Sequence, residues 1–139
     1  MAVERLSLPL DAPGWQRWFG AWADSDTIVG HVDLKGDALA AGLHRSELGI
    51  GIERSYRGRG LGRQLMQVAI DFALGAATLD WLDLKVFAHN TPARALYRSL
   101  GFEEIGTVID RFRIGGISVD DVLMTLAVRS PAARRPGGR

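Results

Sequence analysis

The stretch from Tyr56 to Arg63 combines residue types that bind anions. It reads Tyr-Arg-Gly-Arg-Gly-Leu-Gly-Arg, and its glycines let the backbone turn tightly and approach a ligand with no Cβ in the way. A helix that begins here directs its unpaired N–H groups and the positive end of its dipole at that ligand, and the arginines add charge. We therefore expect this stretch, called the anion-binding turn below, to hold a phosphate group.

The spacing of the glycines excludes two common nucleotide sites. The P-loop pattern needs Gly-Lys followed by Ser or Thr, and the sequence contains no such tripeptide. The dinucleotide pattern needs glycines at its first, third and sixth places, but the sixth place counted from Gly58 is Arg63. The pattern that is present is Arg57-x-x-Gly60-x-Gly62.

The elements on either side of the turn are a strand and a helix. Ser46 to Glu53 alternates apolar with polar or glycine residues, which predicts a strand. Gly49 and Gly51 leave one side of that strand without bulk, which permits either a β-bulge or the close approach of something extended. Beyond the turn, apolar residues recur at helical spacing, and the helix is expected to end near a left-handed Gly75. The predicted apolar face consists of Leu61, Leu65, Val68 and Phe72.

A second strand and helix follow. Trp81 to Ala88 is a predicted strand, parallel to the first because a helix connects them. In the next helix Thr91 is the expected cap, Pro92 suits the first position and Gly101 suits the end. Its predicted apolar face consists of Ala93, Leu96, Tyr97 and Leu100.

Two hairpins complete the predicted domain, residues 1–128. The first pairs Trp15–Ala23 with Thr27–Leu34, and its tryptophans either pack in the core or an interface or form a ligand platform. The second pairs Thr107–Ile114 with Ser118–Val128 around Gly115-Gly116. Residues 1–14 are expected to be irregular, and residues 129–139 to form a disordered basic tail.

The composition of the sequence excludes several classes of function and kinds of site. The 139 residues carry a net charge of +1, which argues against a dedicated nucleic-acid-binding protein. Cysteine is absent from the sequence, so disulfides, thiolate nucleophiles and cysteine metal sites are excluded. Three scattered histidines do not have the spacing of metal ligands. The sequence has no apolar run long enough to span a bilayer and no signal-peptide pattern, so we expect a cytoplasmic protein with neither nucleic-acid nor membrane partners.

Two motifs together resemble the GCN5-related N-acetyltransferase (GNAT) superfamily. They are the Arg57-x-x-Gly60-x-Gly62 pattern and a second one, Asn90-x-x-Ala93-x-x-Leu96-Tyr97-x-x-x-Gly101-Phe102. The resemblance covers roughly Trp15 to Val128. It implies an α/β fold with a mixed sheet, in which a central pair of parallel strands splays apart between antiparallel hairpins. It also implies acetyl-coenzyme A as co-substrate, without a metal.

The resemblance implies where the coenzyme binds. The backbone amides of the anion-binding turn match those that hold the pyrophosphate, and the Ile50–Ile52 segment matches the one that pairs with the pantetheine arm. The second wall of the splay is matched by the segment that begins at Asn90. The implied coenzyme-binding residues are Ile50, Gly51, Ile52, Arg57, Gly58, Arg59, Gly60, Leu61, Gly62, Arg63, Asn90, Ala93 and Tyr97.

The resemblance also supplies candidate catalytic residues. Tyr97 matches the position whose phenol protonates the coenzyme sulfur; the alternative is a core tyrosine. Glu47 lies where several members carry a glutamate base; the alternatives are a solvent-facing charge there, or His44 as the base. A backbone N–H between Leu48 and Ile52 is expected to polarise the thioester carbonyl. Asp120 and Asp121 are either binders of a cationic substrate or members of surface salt bridges.

The implied function is acetyl transfer to a primary amine of a small molecule, an amino acid or related metabolite, by direct attack in a ternary complex. The alternatives are acetylation of a protein N-terminus or lysine, and a non-catalytic acyl-coenzyme A-binding regulatory module. Family members usually carry a strand and two helices before the first hairpin. Their apparent absence here implies that another subunit supplies that wall, that the acceptor site is open, or that part of the protein is omitted. A homodimer is the favoured oligomeric state.

Overall fold

A computed structural model gives the fold and describes residues 6–129. Residues 15–129 contain six strands and two α-helices, in the order β1 (Gln16–Trp22), β2 (Ile28–Gly36), β3 (Arg45–Ile52), α1 (Leu61–Gly75), β4 (Trp81–Phe87), α2 (Thr91–Ser99), β5 (Glu103–Ile114) and β6 (Ile117–Ala127). The prediction of irregular structure for residues 1–14 is confirmed for residues 7–14, whereas Leu6 is helical and residues 1–5 lie outside the described residues. Of the predicted disordered tail only Arg129 is described, and its guanidinium donates to the carbonyl oxygens of Leu74 and Ala76. The rest of that prediction lies outside the described residues.

The strands form one mixed sheet in the order β1-β2-β3-β4-β6-β5. The β3–β4 pair is parallel and all other neighbours are antiparallel. This confirms the predicted mixed α/β fold with a central parallel pair between two hairpins. The turn of the second hairpin is also as expected, because Gly115 and Gly116 both have positive φ, 58° and 79°, as a two-residue type I′ turn requires.

The core lies between one face of the sheet and the two helices. On α1 the buried side chains are Leu65, Met66, Ala69, Ile70 and Ala73. The predicted apolar face of this helix was therefore partly wrong, since Val68 is 41% exposed. The buried stripe follows steps of one, three and four residues beginning at Leu65, which places position 68 on its solvent side.

The ends of both helices differ from the predictions in detail. Gly75 is the last helical residue of α1 and does not have a positive φ, so the predicted left-handed stop was wrong. The chain leaves that helix through an extended Ala76. On α2 the cap is Asn90 rather than Thr91, because the Asn90 side chain accepts a hydrogen bond from the Ala93 amide at 3.3 Å. Gly101, with φ 102°, follows α2 as predicted.

The opposite face of the sheet carries polar side chains. Cross-strand neighbours on this face are His31 and Gly51, Asp33 and Gly49, and Lys35 and Glu47. The expected bare strip over the glycines of β3 was wrong. A Cβ on Gly49 would lie 2.6 Å from Asp33, and one on Gly51 would lie 2.8 Å from His31. These glycines therefore make room for side chains of β2.

Candidate coenzyme and acceptor site

The two parallel strands separate soon after they meet. Their pairing is limited to Arg45 with Trp81, Ser46 with Leu82 and Glu47 with Asp83. On the other side of β3, the Glu53 amide donates to the Val29 carbonyl at 2.8 Å. Since successive residues of an antiparallel strand direct their polar groups to alternate sides, the N–H and C=O of residues 50 and 52 point away from β2, into the gap before β4. The gap thus has a backbone edge able to pair with an extended ligand.

An ion pair closes the narrow end of this gap. The Arg45 guanidinium donates to both oxygens of Asp83, at 2.8 and 2.7 Å, and to the Thr125 hydroxyl at 3.0 Å. That hydroxyl donates in turn to Asp83 at 2.7 Å. Hydrogen bonding to Asp83 raises the pKa of Arg45, and the guanidinium also lies over the ring of Trp81. These contacts tie β3, β4 and β6 together where the splay begins.

The anion-binding turn lies at the end of β3 and leads into α1. Gly58 and Gly60 adopt left-handed φ values of 77° and 81°, a region that other residues enter at a cost. The Gln64 amide donates to the Gly60 carbonyl at 3.2 Å. Within residues 6–129, the backbone amides of residues 58 to 63 donate no hydrogen bond. Unpaired amides at a helix N-terminus are the arrangement that binds phosphate.

The arginines of the turn also have protein partners. Arg57 donates to the Ile52 carbonyl at 3.2 Å, and Arg63 donates to the Ser99 hydroxyl at 2.9 Å, which links α1 to α2. The Arg59 guanidinium lies over the ring of Tyr56. These side chains therefore hold the shape of the turn besides adding positive charge beside it.

A cleft of about 400 Å³ occupies the space between the splayed strands. It brings together four of the predicted site residues, Glu47, Ile50, Asn90 and Tyr97. Gly51, Ile52 and Ala93 are not among the residues that line it. The complete lining consists of Glu47, Leu48, Gly49, Ile50, Leu84, Lys85, Val86, Phe87, Asn90, Tyr97, Phe112 and Asp121.

Tyr97 belongs to both the core and the cleft. It is 6% exposed and its ring packs against Phe102. Within residues 6–129 its hydroxyl has no hydrogen-bond partner. Burial raises the pKa of Tyr97 above its ordinary value of 10, so the phenol keeps its proton at neutral pH. A protonated, unpaired phenol beside a cleft is suited to donate a proton or a hydrogen bond.

Glu47 lies at the entrance of the cleft. Its side chain is 53% exposed, and one carboxylate oxygen lies 3.7 Å from the Lys85 Nζ. The predicted alternative, His44, is not among the cleft residues, and its carbonyl accepts the amides of Asp80 and Trp81. Among residues 6–129, no group of three or more His, Asp or Glu side chains is placed to hold a metal ion.

Among the polar and aromatic lining residues, Lys85, Phe87 and Phe112 were not predicted, and Asp121 was predicted only as one of two alternatives for a cationic substrate. The alternation of side chains along β4 places Lys85 and Phe87 on the same face of that strand. Only the pairing of β4 with β3 and β6 shows that this face borders the cleft. Asp120 and Asp121 were considered together and the fold separates them. Asp120 accepts a hydrogen bond from the Asp110 amide at 2.8 Å, whereas Asp121 lines the cleft.

A second cavity of about 620 Å³ adjoins the cleft on the polar face of the sheet and shares Glu47, Leu84 and Lys85 with it. Its other charged lining residues include Lys35 and the Arg45–Asp83 pair. Within residues 6–129, Lys35 makes no side-chain ion pair. No helix in this part of the chain is long and apolar enough to cross a membrane.

Comparison with known proteins agrees with this geometry. The N-alpha-acetyltransferase RimI of Mycobacterium tuberculosis is 40% identical over 90 residues, which are 65% of this chain and 54% of that protein. The L-amino acid N-acetyltransferase AaaT of Escherichia coli is 32% identical over 107 residues, 77% of this chain and 63% of that protein. The chain thus spans a little over half the length of these relatives.

Solved structures give the same result. The crystal structure of an acetyltransferase of the GNAT family from Streptococcus pneumoniae matches with a TM-score of 0.78 and 27% identity, over 90% of this chain and 71% of that one. Residues 4–102 match the sequence profile of the acetyltransferase (GNAT) family. With a splayed parallel pair, a glycine-rich helix start and a family match over most of its length, the chain belongs to the acetyltransferase (GNAT) family.

Proposed function

We propose that this protein transfers an acetyl group from acetyl-coenzyme A to the primary amine of a small molecule, with an amino acid or related metabolite as the first candidate. The observation that carries the proposal is the continuity of the site. The edge of β3, free of strand pairing and with only its Ile52 carbonyl bonded to Arg57, leads from the free amides of residues 58 to 63 into a cleft lined by Glu47 and Tyr97. A phosphate-bearing ligand with an extended arm fits this arrangement along its whole length.

The coenzyme fits the residues that are present. The amides of residues 58 to 63 hold its pyrophosphate, and the edge formed by residues 50 and 52 pairs with its arm. When bound, acetyl-coenzyme A supplies the thioester carbon that the amine attacks. The absence of bulk at Gly58 and Gly60, where a Cβ would meet nothing within 4 Å, leaves the backbone open to such a ligand.

The chain's own groups then act on protons and charge. Glu47, which is open to solvent, takes the proton that an ammonium group must lose before its nitrogen can attack. An unpaired amide of β3 donates to the thioester oxygen as it gains negative charge. The Tyr97 phenol donates its proton to the departing sulfur and recovers one from the newly bonded nitrogen.

The second cavity supports an acceptor that carries a carboxylate. Glu47 lies between Lys85, at 3.7 Å, and Lys35, its cross-strand neighbour. The charged lining of the cavity is balanced, with Lys35, Arg45 and Lys85 against Asp37, Glu47 and Asp83. Two of these cations are paired, Arg45 with Asp83 and Lys85 with Glu47. Lys35, which makes no ion pair among residues 6–129, is therefore the cation able to attract an anionic group of the acceptor. An α-amino acid presents an ammonium and a carboxylate close together, and one relative carries the name L-amino acid N-acetyltransferase.

Acetylation of a protein N-terminus is the second candidate. The 40% identity to a protein named N-alpha-acetyltransferase RimI favours it. A polypeptide N-terminus has no free carboxylate beside its amine, so Lys35 would then contact another group of the substrate. A coenzyme-binding module without activity is the third candidate, although such a module has no need of the Tyr97 phenol.

The test combines calorimetric binding of acetyl-coenzyme A with thiol release over a panel of amines. The panel pairs each L-amino acid with its carboxamide and adds peptides with free N-termini and spermidine. We expect the amino acids to be acetylated faster than their carboxamides. Preference for peptides would support the second candidate, and binding without turnover on any amine would support the third.

A matched pair of variants tests the coenzyme site. Gly60→Glu places a side chain and a negative charge in the anion-binding turn, whereas Gly75→Glu places the same group at the other end of α1. We expect only the first to abolish coenzyme binding; equal affinity in both variants would refute the proposed site. The absence of nucleic-acid and membrane partners and the cytoplasmic location stay predictions.

A further inference from the structure

Asp121 is a buried carboxylate without a protein partner. It is 5% exposed and lines the cleft between the splayed strands. Within residues 6–129, its side chain makes no hydrogen bond and no ion pair. Its oxygens are not among the fully buried atoms that lack a partner, so they open onto the cleft. Because a largely buried charge is costly unless it is paired or hydrogen-bonded, a cation in the cleft would stabilise this carboxylate.

The surroundings of Asp121 are aromatic. Its cross-strand neighbour on β4 is Phe87, and the Phe112 ring meets the Phe87 ring edge-on, with centroids 5.8 Å apart. Both rings line the same cleft. Lys85, the one cationic side chain of the cleft lining, lies 3.7 Å from the Glu47 carboxylate and makes no ion pair with Asp121. The Arg111 guanidinium already lies over the Phe112 ring, 4.4 Å from its centroid, and the Phe87 ring stacks on His89. The rings therefore offer apolar contact more than a free cation-binding face, and a carboxylate with apolar walls is suited to a compact alkylammonium group.

We propose that Asp121 binds the ammonium group of the acceptor amine, with Phe87 and Phe112 against the carbon atoms next to the nitrogen. The inference rests on the proposed function and adds a substrate-binding residue to it. Asp121 holds the ammonium in the cleft that also contains Tyr97, and Glu47 at the solvent-exposed entrance takes the proton. The acceptor therefore enters as a cation, and an uncharged molecule of the same shape is not held.

The isosteric substitution Asp121→Asn tests this role, with Asp120→Asn as the matched control. Asp121→Asn removes a buried unpaired charge, so the variant should fold with an unchanged or higher melting temperature. Its KM for the best amine of the panel should rise by about 10- to 100-fold, the usual worth of a hydrogen bond to a charged group, with a smaller change in kcat. Affinity for coenzyme A should stay the same. Asp120→Asn keeps an oxygen for the Asp110 amide and should change none of these quantities.

A binding measurement separates this inference from the proposed function. n-Butylammonium chloride and 1-butanol have nearly the same shape and differ in charge, and their binding to the coenzyme A complex can be measured without turnover. We expect the wild-type protein to prefer the ammonium and Asp121→Asn to lose that preference. If the wild type acetylates no amine, the proposed function fails, and this comparison still decides whether Asp121 binds ammonium. A lower melting temperature with unchanged KM and unchanged n-butylammonium binding would overturn the inference and make Asp121 a structural residue.

Discussion

Replacing Tyr97 by Phe separates the catalytic role of this residue from its role in the core. The ring is 6% exposed and packs against Phe102, and Phe keeps that packing. The hydroxyl has no hydrogen-bond partner within residues 6–129. Its removal therefore avoids the cost of about 0.5–1.5 kcal/mol that follows the loss of a typical intramolecular hydrogen bond. We expect the melting temperature to change by less than about 2 °C.

The effect on turnover should be far larger. A positioned general acid contributes about 10²- to 10⁴-fold to the rate, which corresponds to about 2.7–5.4 kcal/mol in the activation barrier. Tyr97→Phe should lower kcat by at least the smaller factor, while the affinity for acetyl-coenzyme A stays within about twofold, or about 0.4 kcal/mol. Such a separation of rate from stability is expected only if the hydroxyl acts on the reacting atoms.

The pH dependence of this variant gives a second measurement. Burial raises the pKa of Tyr97 above 10, so the folded protein holds this proton more tightly than the unfolded chain does. The resulting stability is fully present below pH 10 and is lost as the pH rises through the folded pKa. In wild-type protein kcat should also fall over that alkaline range, and in Tyr97→Phe this limb should be absent.

Thiol release at saturating acetyl-coenzyme A measures kcat, calorimetry measures coenzyme affinity, and a thermal unfolding scan supplies the stability control. A kcat within about threefold of wild type would mean that the variant's barrier is higher by less than about 0.7 kcal/mol. That result would refute the acid role and leave Tyr97 as a core residue. A loss of activity that accompanies a large fall in melting temperature would be equally damaging, because the hydroxyl would then be structural.

Three further predictions concern the anion-binding turn, the Arg45–Asp83 ion pair and the edge strand β5. Gly60→Ala should weaken coenzyme binding by about 5- to 30-fold, because an alanine in the left-handed conformation costs about 1–2 kcal/mol. Its Cβ would meet nothing within 4 Å, so this backbone strain is the only expected effect. The control Gly75→Ala, at a position without positive φ, should leave the coenzyme affinity measured by calorimetry unchanged. Asp83→Asn should lower the melting temperature by a few degrees, through the loss of about 1 kcal/mol from a partly exposed ion pair. It should also reduce kcat more than coenzyme affinity, because the ion pair no longer fixes the point where β3 and β4 separate. An unchanged melting temperature together with an unchanged kcat would contradict this prediction. We also propose that the protein forms a homodimer through the edge strand β5, where Ile109 is 78% exposed. Light scattering should show a dimer for the wild-type protein and a monomer for Ile109→Lys. A monomeric wild-type protein would exclude this dimer.

The parts of this fold that follow from local chemistry could be predicted from the sequence. Gly58 and Gly60 predicted the tight turn at the start of α1, and Gly115-Gly116 predicted the second hairpin. All four have positive φ, a conformation that only glycine enters easily. The cap of α2 was misassigned by one residue, since Asn90 and Thr91 are both good caps and only the backbone decides between them.

The parts that depend on strand register could not be predicted in the same way. Val68 fits a helical period as well as Met66 does, and the direction in which α1 faces the sheet decides which is buried. Asp120 and Asp121 have the same side chain, and only the pairing of β6 with β4 and β5 places one of them in the cleft. Local pattern therefore predicted the coenzyme side of the site better than the acceptor side.

The two carboxylates of the cleft differ in environment, and this difference separates their roles. Glu47 is half exposed and lies beside Lys85, so it can exchange a proton with solvent without leaving an uncompensated buried charge. Asp121 is buried beside aromatic rings and lacks a cation within the described chain. Neutralising the amine while it is held only by Asp121 would leave that carboxylate unpaired again, which is unfavourable. Under the proposed function, we therefore expect the amine to lose its proton towards Glu47 as it moves from Asp121 to the thioester, so that binding by one carboxylate precedes deprotonation by the other.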